Sequence, residues 1–253
     1  MTFNRTNPPL HAEFSANDGR VIGVSWRVFL MWLQDIWQPG QHMFIVAPTG
    51  EGKTTLAVPI LELRKWVLAL DPKGIDDTLA ESGFTRVESL PLPRKMRNDI
   101  ADGKPARIII GGSARSDEDQ EKLKRLMKQA LKMAREHGGW TIYVDEFQIL
   151  ADRRMYGLDK DVELLLIAAR RDRSSVVMTF QAPAWVPRAA TRQARVGIIG
   201  PTRDRTMIKN VAESMGRDWR ELSLIIDEIP SFYWIVIPKN VRAPVLLVHP
   251  PKL

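Results

Sequence analysis

The chain has 253 residues, 44% of them hydrophobic, which is enough for one large α/β domain or two small ones and excludes general disorder. It has no cysteine, which excludes a disulfide scaffold and a thiolate metal site and fits a reducing cytosol. The net charge of +7 favours a polyanionic partner, and the four histidines, His11, His42, His137 and His249, are too scattered for shared metal ligation.

Residues 1–20 are polar and rich in Pro and Asn, and read as an extended arm. They contain no apolar core of a signal peptide, and nowhere does the chain reach the run of about 18 apolar residues that spans a bilayer. Residues 24–37, VSWRVFLMWLQDIW, predict a helix that is apolar on most faces, with Trp26, Trp32 and Trp37. Such a helix packs on a domain core or forms a subunit interface. Pro39-Gly40 ends it.

Residues 43–55, MFIVAPTGEGKTT, begin as a buried strand and continue as a phosphate-binding loop. The strict pattern starts with Gly where Ala47 stands. Ala47, Pro48, Thr49, Gly50, Glu51, Gly52, Lys53, Thr54 and Thr55 are the candidate nucleotide-binding stretch. Gly50 and Gly52 permit the tight turn that aims backbone N–H groups at a phosphate. Lys53 brings a positive charge to the β- and γ-phosphates, and Thr54 offers a hydroxyl to Mg²⁺. The following helix points its positive end at the anion.

That helix is expected to reach about Arg64. A strand, KWVLALDPKG, closes on Asp71-Pro72-Lys73-Gly74. Residues 83–106 hold three prolines and read as irregular structure around short strands, and RIIIGG is another buried strand. Ser116 or Asp117 caps a long helix whose Leu123, Leu126, Met127, Ala130, Leu131 and Ala134 follow the helical period, and Gly138-Gly139 stops it.

Strand WTIYVDE follows, then a helix from about Lys160 to Arg171, then the strands SSVVMTFQAP and ARVGIIGP. TRDRTMIKNVAESMG and DWRELSLIIDE are helices, and FYWIVIP and APVLLVHP close the chain as strands, expected as a hairpin at the sheet edge. The alternation predicts an α/β fold, a mostly parallel sheet with helices on both faces.

Asp145 emerges at the C-terminal edge of its strand, where ligands bind in open α/β sheets. There it can hold Mg²⁺ through the metal's water shell together with Thr54. Glu146 is placed to accept a proton from the attacking water, and Gln181, at the tip of SSVVMTFQ, to contact the γ-phosphate or that water.

Four segments together, APTGEGKTT, LALDPKG, YVDEFQIL and AARRDRSSVVMTFQAP, resemble the FtsK/HerA superfamily of DNA-pumping ATPases, a RecA-like branch of the P-loop NTPases. The family usually has Gly where Arg173 stands and Thr where Phe180 stands. The resemblance implies that residues 1–40 are an arm and helix and 41–253 a RecA-like motor domain. It implies ATP and Mg²⁺ as cofactors, with Lys53, Thr54, Asp145, Glu146 and Gln181 in the roles above. It also implies a hexameric ring in which an arginine from one subunit completes its neighbour's site. Arg203 and Arg205 are the first candidates and Arg170 the reserve.

Stand-alone motors of this size resemble viral genome-packaging ATPases. The implied partners are double-stranded DNA, further copies of the chain, and a capsid-vertex or membrane docking protein, in a host cytoplasm or at a virion vertex. Arg188, Arg192 and Arg195, or the basic residues Arg94, Lys95, Arg97, Lys104 and Arg107, would grip DNA phosphates without reading sequence. The competing readings are a conjugative coupling ATPase, a filamentous-phage-type assembly ATPase and a non-enzymatic ATP-binding scaffold. A scaffold has no need of a water-activating acid such as Glu146.

Overall fold

The computed structural model describes residues 13–16, 19–74, 77–112, 114–181 and 188–251, with the side chains of 13–16, 19, 20, 170, 188 and 189 outside that description. The chain forms two compact units. The first comprises Met1–Gln38, Met43–Lys53 and Gln181–Leu253, and the second Pro39–His42 and Thr54–Phe180.

In the first unit, β1 (Glu13–Ala16) and β2 (Gly19–Gly23) form an antiparallel hairpin where the sequence suggested an extended arm; residues 1–12, 17 and 18 lie outside the described residues. Helix α1 (Trp26–Ile36) is capped by Ser25, buries Phe29 and Leu33, and leaves Val28 and Met31 exposed. Strand β3 (His42–Val46) is buried throughout.

The second unit contains α2 (Lys53–Leu61, from Thr54 onward), β4 (Trp66–Asp71), α3 (Asp77–Glu81), β5 (Thr85–Arg86) and α4 (Arg94–Ala101). Next come β6 (Ala106–Gly111), α5 (Asp117–His137), β7 (Thr141–Val144) and α6 (Phe147–Ala151). Helix α7 (Asp159–Asp172) and β8 (Ser175–Phe180) complete it. Its strands run in the order β8-β7-β4-β6-β5, and every neighbouring pair is parallel. All their C-terminal ends therefore meet at one edge. β7 and β8 are buried at every position, as expected of parallel strands covered on both faces.

Helix α4 stands where irregular structure was expected. Its eight residues, RKMRNDIA, bury no side chain, so they carry little apolar periodicity to read. Helix α5 is capped by Ser116 and buries Leu123, Met127, Ala130, Leu131 and Ala134. It stops at Gly138, where φ is 63° and a Cβ would meet the Asp172 carbonyl oxygen at 2.5 Å, so the α5–β7 turn and the end of α7 approach closely only because that residue is glycine.

The first unit resumes with α8 (Arg188–Gln193), β9 (Ala194–Ile199), α9 (Arg205–Met215), α10 (Trp219–Glu228), β10 (Trp234–Pro238) and β11 (Val245–Val248). Its strand order is β1-β2-β11-β10-β9-β3. The last two strands do pair antiparallel, but they are not an edge hairpin: β10 also pairs with β9, and β11 runs parallel to β2. Both are buried at every position, and the edge belongs to β1. Continuous burial explains why WIVIP and VLLV show no polar alternation.

Candidate functional site

The phosphate-binding stretch is a product of local geometry. β3 delivers the buried Ala47, and the chain then turns through Gly50 at φ 85° and Gly52 at φ 79°, the left-handed region where a side chain costs about 1 kcal/mol or more. Helix α2 begins at Lys53. The Lys53 side chain is buried, and its ammonium donates to the carbonyls of Ala47 at 3.0 Å and Pro48 at 2.9 Å. The cation is thus held over its own loop by backbone oxygens.

The acidic strand end, in the second unit, is a product of long-range contacts. Asp145 and Glu146 follow β7 and are both buried. Asp145 Oδ1 accepts from the Tyr143 hydroxyl at 2.9 Å and from Thr179 Oγ1 at 2.9 Å. Tyr143 and Asp145 are two apart on an extended chain, so they share a face. The Tyr143 phenol is wholly enclosed. Burial first, and then the Asp145 charge, pushes its pKa well above the ordinary value, while hydrogen bonding with Thr54 and Thr179 pulls the other way. The Thr54 hydroxyl, the Asp145 carboxylate and Thr179 thereby converge on one phenol oxygen.

Thr179 has a second task. Its Oγ1 accepts the Glu146 backbone N–H at 2.9 Å. Glu146 sits in the left-handed region at φ 48° and ψ 64°, a conformation that costs a non-glycine residue about 1 kcal/mol or more and that the Thr179 bond helps to hold. The Glu146 carboxylate pairs with Lys73 through a 2.5 Å contact. Lys73 rides on the Asp71–Gly74 turn, which is fixed by a Gly74 N–H donated to Asp71 Oδ1 at 2.8 Å and by the Tyr156 hydroxyl donated to the Pro72 carbonyl at 2.9 Å.

Among the residues expected from sequence, Thr54 and Asp145 are brought together at Tyr143, and Glu146 stands beside them in the chain. Gln181 follows β8 and is half-buried. Arg205 is exposed and ion-paired with Asp227 at 2.8 Å, and Arg203 is exposed just before Asp204, the N-cap of α9. The side chains of Arg170 and Arg188 lie outside the described residues. Arg192 is exposed on α8 and adds its charge to the burial that lowers the Lys239 pKa, and Arg195 is half-buried. In the other basic segment, Lys104 pairs with Asp99 at 2.6 Å.

Sequence reasoning missed Tyr143, Thr179 and Lys73. The signals were present: a hydroxyl two residues before the acid, a threonine in an otherwise apolar strand, and the lysine of DPKG at the end of a strand that proves to be a parallel neighbour.

The donor set fits a magnesium ion. Thr54 and Asp145 supply hard oxygen donors, and among the described residues no group of three His, Cys, Asp or Glu side chains could cage a metal. Such a pair suits a cation that keeps most of its waters and takes the rest of its ligands from phosphate.

No family model and no curated protein matches the chain. Solved structures do. The genome packaging NTPase B204 from Sulfolobus turreted icosahedral virus 2, in complex with ATP-gammaS, is 17% identical at a TM-score of 0.57 and covers 85% of this chain and 99% of its own. B204 from Sulfolobus turreted icosahedral virus, a DNA-packaging ATPase, is 18% identical at 0.57, covering 85% and 100%. VirB4 of Thermoanaerobacter pseudethanolicus is 10% identical at 0.56, covering 84% and 89%. The fold is that of the P-loop NTPases. It agrees with the class that the four motifs implied. Among the described residues no helix is long and apolar enough to cross a membrane.

Proposed function

We propose that this chain is a Mg²⁺-dependent ATPase that moves double-stranded DNA, as in packaging a viral genome. The observation that carries the reading is the wiring of Thr54, Tyr143, Asp145, Thr179 and Glu146 at the C-terminal ends of parallel strands, where ligands of open α/β sheets bind. The likeness to packaging ATPases supports the fold beneath it.

Each residue then has a part. Backbone N–H groups of the loop and the Lys53 ammonium take the phosphates, Lys53 leaving the Ala47 and Pro48 carbonyls to do so. Thr54 and the Asp145 carboxylate would hold the metal. When bound, Mg²⁺ would neutralise charge building on the phosphate oxygens. Glu146 takes the proton of a water whose oxygen bonds to the γ-phosphorus as the β–γ bridging bond breaks, giving ADP and phosphate.

The reading extends to a homo-oligomeric ring, a hexamer, with an arginine supplied in trans. Arg203 is the better candidate, because Arg205 is already paired with Asp227 in its own chain. Arg188, Arg192 and Arg195 supply sequence-tolerant phosphate contacts to DNA. The test is ATP hydrolysis by the purified chain with and without double-stranded DNA across a salt series. Stimulation that fades with salt is expected, and Lys53→Ala should lose nucleotide binding. Hydrolysis by Lys53→Ala at the parent rate would overturn the ATPase assignment, and DNA without effect on turnover would overturn the motor.

A further inference from the structure

Lys73 belongs to no part of that mechanism, yet it holds the residue assigned to activate water. Its Nζ stands 2.5 Å from Glu146 Oε1, and the Glu146 side chain is only 9% exposed. The ammonium is a charge-assisted donor to that oxygen, and it competes with a water for the carboxylate.

The backbones on both sides of this pair are fixed. Glu146 is locked by its left-handed conformation and by the bond from its N–H to Thr179. The turn carrying Lys73 is locked by the Gly74–Asp71 and Tyr156–Pro72 hydrogen bonds. What remains free is the long unbranched Lys73 side chain, 36% exposed. A water activated by Glu146 touches both that carboxylate and the phosphorus it attacks, so on the ATPase reading the terminal phosphate stands one water away from Glu146. A terminal phosphate offers more negative charge and more acceptor oxygens than one carboxylate and is the stronger partner.

We infer that Lys73 is an exchange residue: it pairs with Glu146 while the phosphate site is empty and transfers to the terminal phosphate of ATP when the site fills, releasing Glu146 to accept the water's proton. This rests on the ATPase reading and adds to it a means by which the third phosphate, and not ADP, frees the base.

The test is calorimetric binding of the non-hydrolysable analogue AMPPCP and of ADP, each with Mg²⁺, to the parent, Lys73→Met and Lys73→Arg. Lys73→Met should weaken AMPPCP about tenfold, the loss of one charge-assisted hydrogen bond, while leaving ADP within about twofold. Lys73→Arg should recover most of the AMPPCP affinity, and turnover should fall in the Met variant beyond what its affinity loss explains. Lys73→Gln serves if the Met variant does not fold. AMPPCP bound by the Met variant as tightly as by the parent, or weakened equally with ADP, overturns the exchange. Lys53→Ala separates the two levels: if it still binds AMPPCP, the nucleotide reading fails; if it binds nothing and the Lys73 variants do not discriminate AMPPCP from ADP, the exchange alone fails.

Discussion

The phosphate-binding loop and the acidic strand end solve the same problem, holding charged groups in fixed places, by opposite means. In the loop, two glycines with positive φ shape the turn, and the backbone carbonyls of Ala47 and Pro48 hold Lys53. At the strand end, Asp145 and Glu146 are held by side chains from two other stretches, Lys73 after β4 and Thr179 on β8, together with Tyr143 of β7 itself, whose hydroxyl also meets Thr54 of α2. The loop depends chiefly on Gly50, Gly52 and Lys53, because the backbone makes it. The strand end depends on each of its polar partners, since a buried acceptor or donor that loses one costs about 1–3 kcal/mol.

The largest break falls on Glu146 itself. Glu146→Gln keeps the shape and removes the base, so steady-state turnover should fall by about two orders of magnitude or more while AMPPCP still binds in a titration. Unchanged turnover with normal binding would move the base elsewhere. Next is Thr179→Val, which preserves volume but leaves the Glu146 N–H without its acceptor and Asp145 without one donor. A loss of about 2 kcal/mol in denaturant unfolding is expected, together with a fall in kcat. A Val variant as stable as the parent would mean that Glu146 keeps its left-handed conformation without help.

Tyr143→Phe removes one oxygen from the centre of the cluster. Stability should drop by about 1 kcal/mol, and half-maximal activity should require more Mg²⁺, because Thr54 and Asp145 lose their shared partner. A magnesium titration that superimposes on the parent's would show the hydroxyl to be structural only. The smallest change, and the only stabilising one, is Arg173→Gly. Arg173 ends α7 at φ 52° and ψ 26°, and glycine removes the Cβ cost of that conformation. Thermal unfolding should rise by the equivalent of about 1 kcal/mol with turnover unaltered.

The departures at Arg173 and Phe180 acquire their meaning only from such geometry. At the first, the residue is left-handed, a conformation that favours glycine, and the arginine stands in it regardless. At the second, Phe180 is fully buried, and the hydroxyl that engages Asp145 comes from Thr179, one position earlier. A motif written as residue types cannot show which strand position faces the acid; strand register does, because neighbouring residues point to opposite faces.

By itself the sequence determined the α/β class, the phosphate loop and the acidic strand end, since glycine placement, apolar runs and capping residues act over a few neighbouring positions. Ser116 before α5 and Gly138 after it were legible for the same reason. Helix α4, without a buried face, and the interior position of β10 and β11 were not, because exposure hides periodicity and uniform burial erases alternation. Only the tertiary structure decided that Tyr143, Thr179 and Lys73 converge on the two acids. Parallel strands are joined by long crossovers, so residues 73, 145 and 179 become neighbours through pairing across the sheet, and no local pattern in the chain records that meeting.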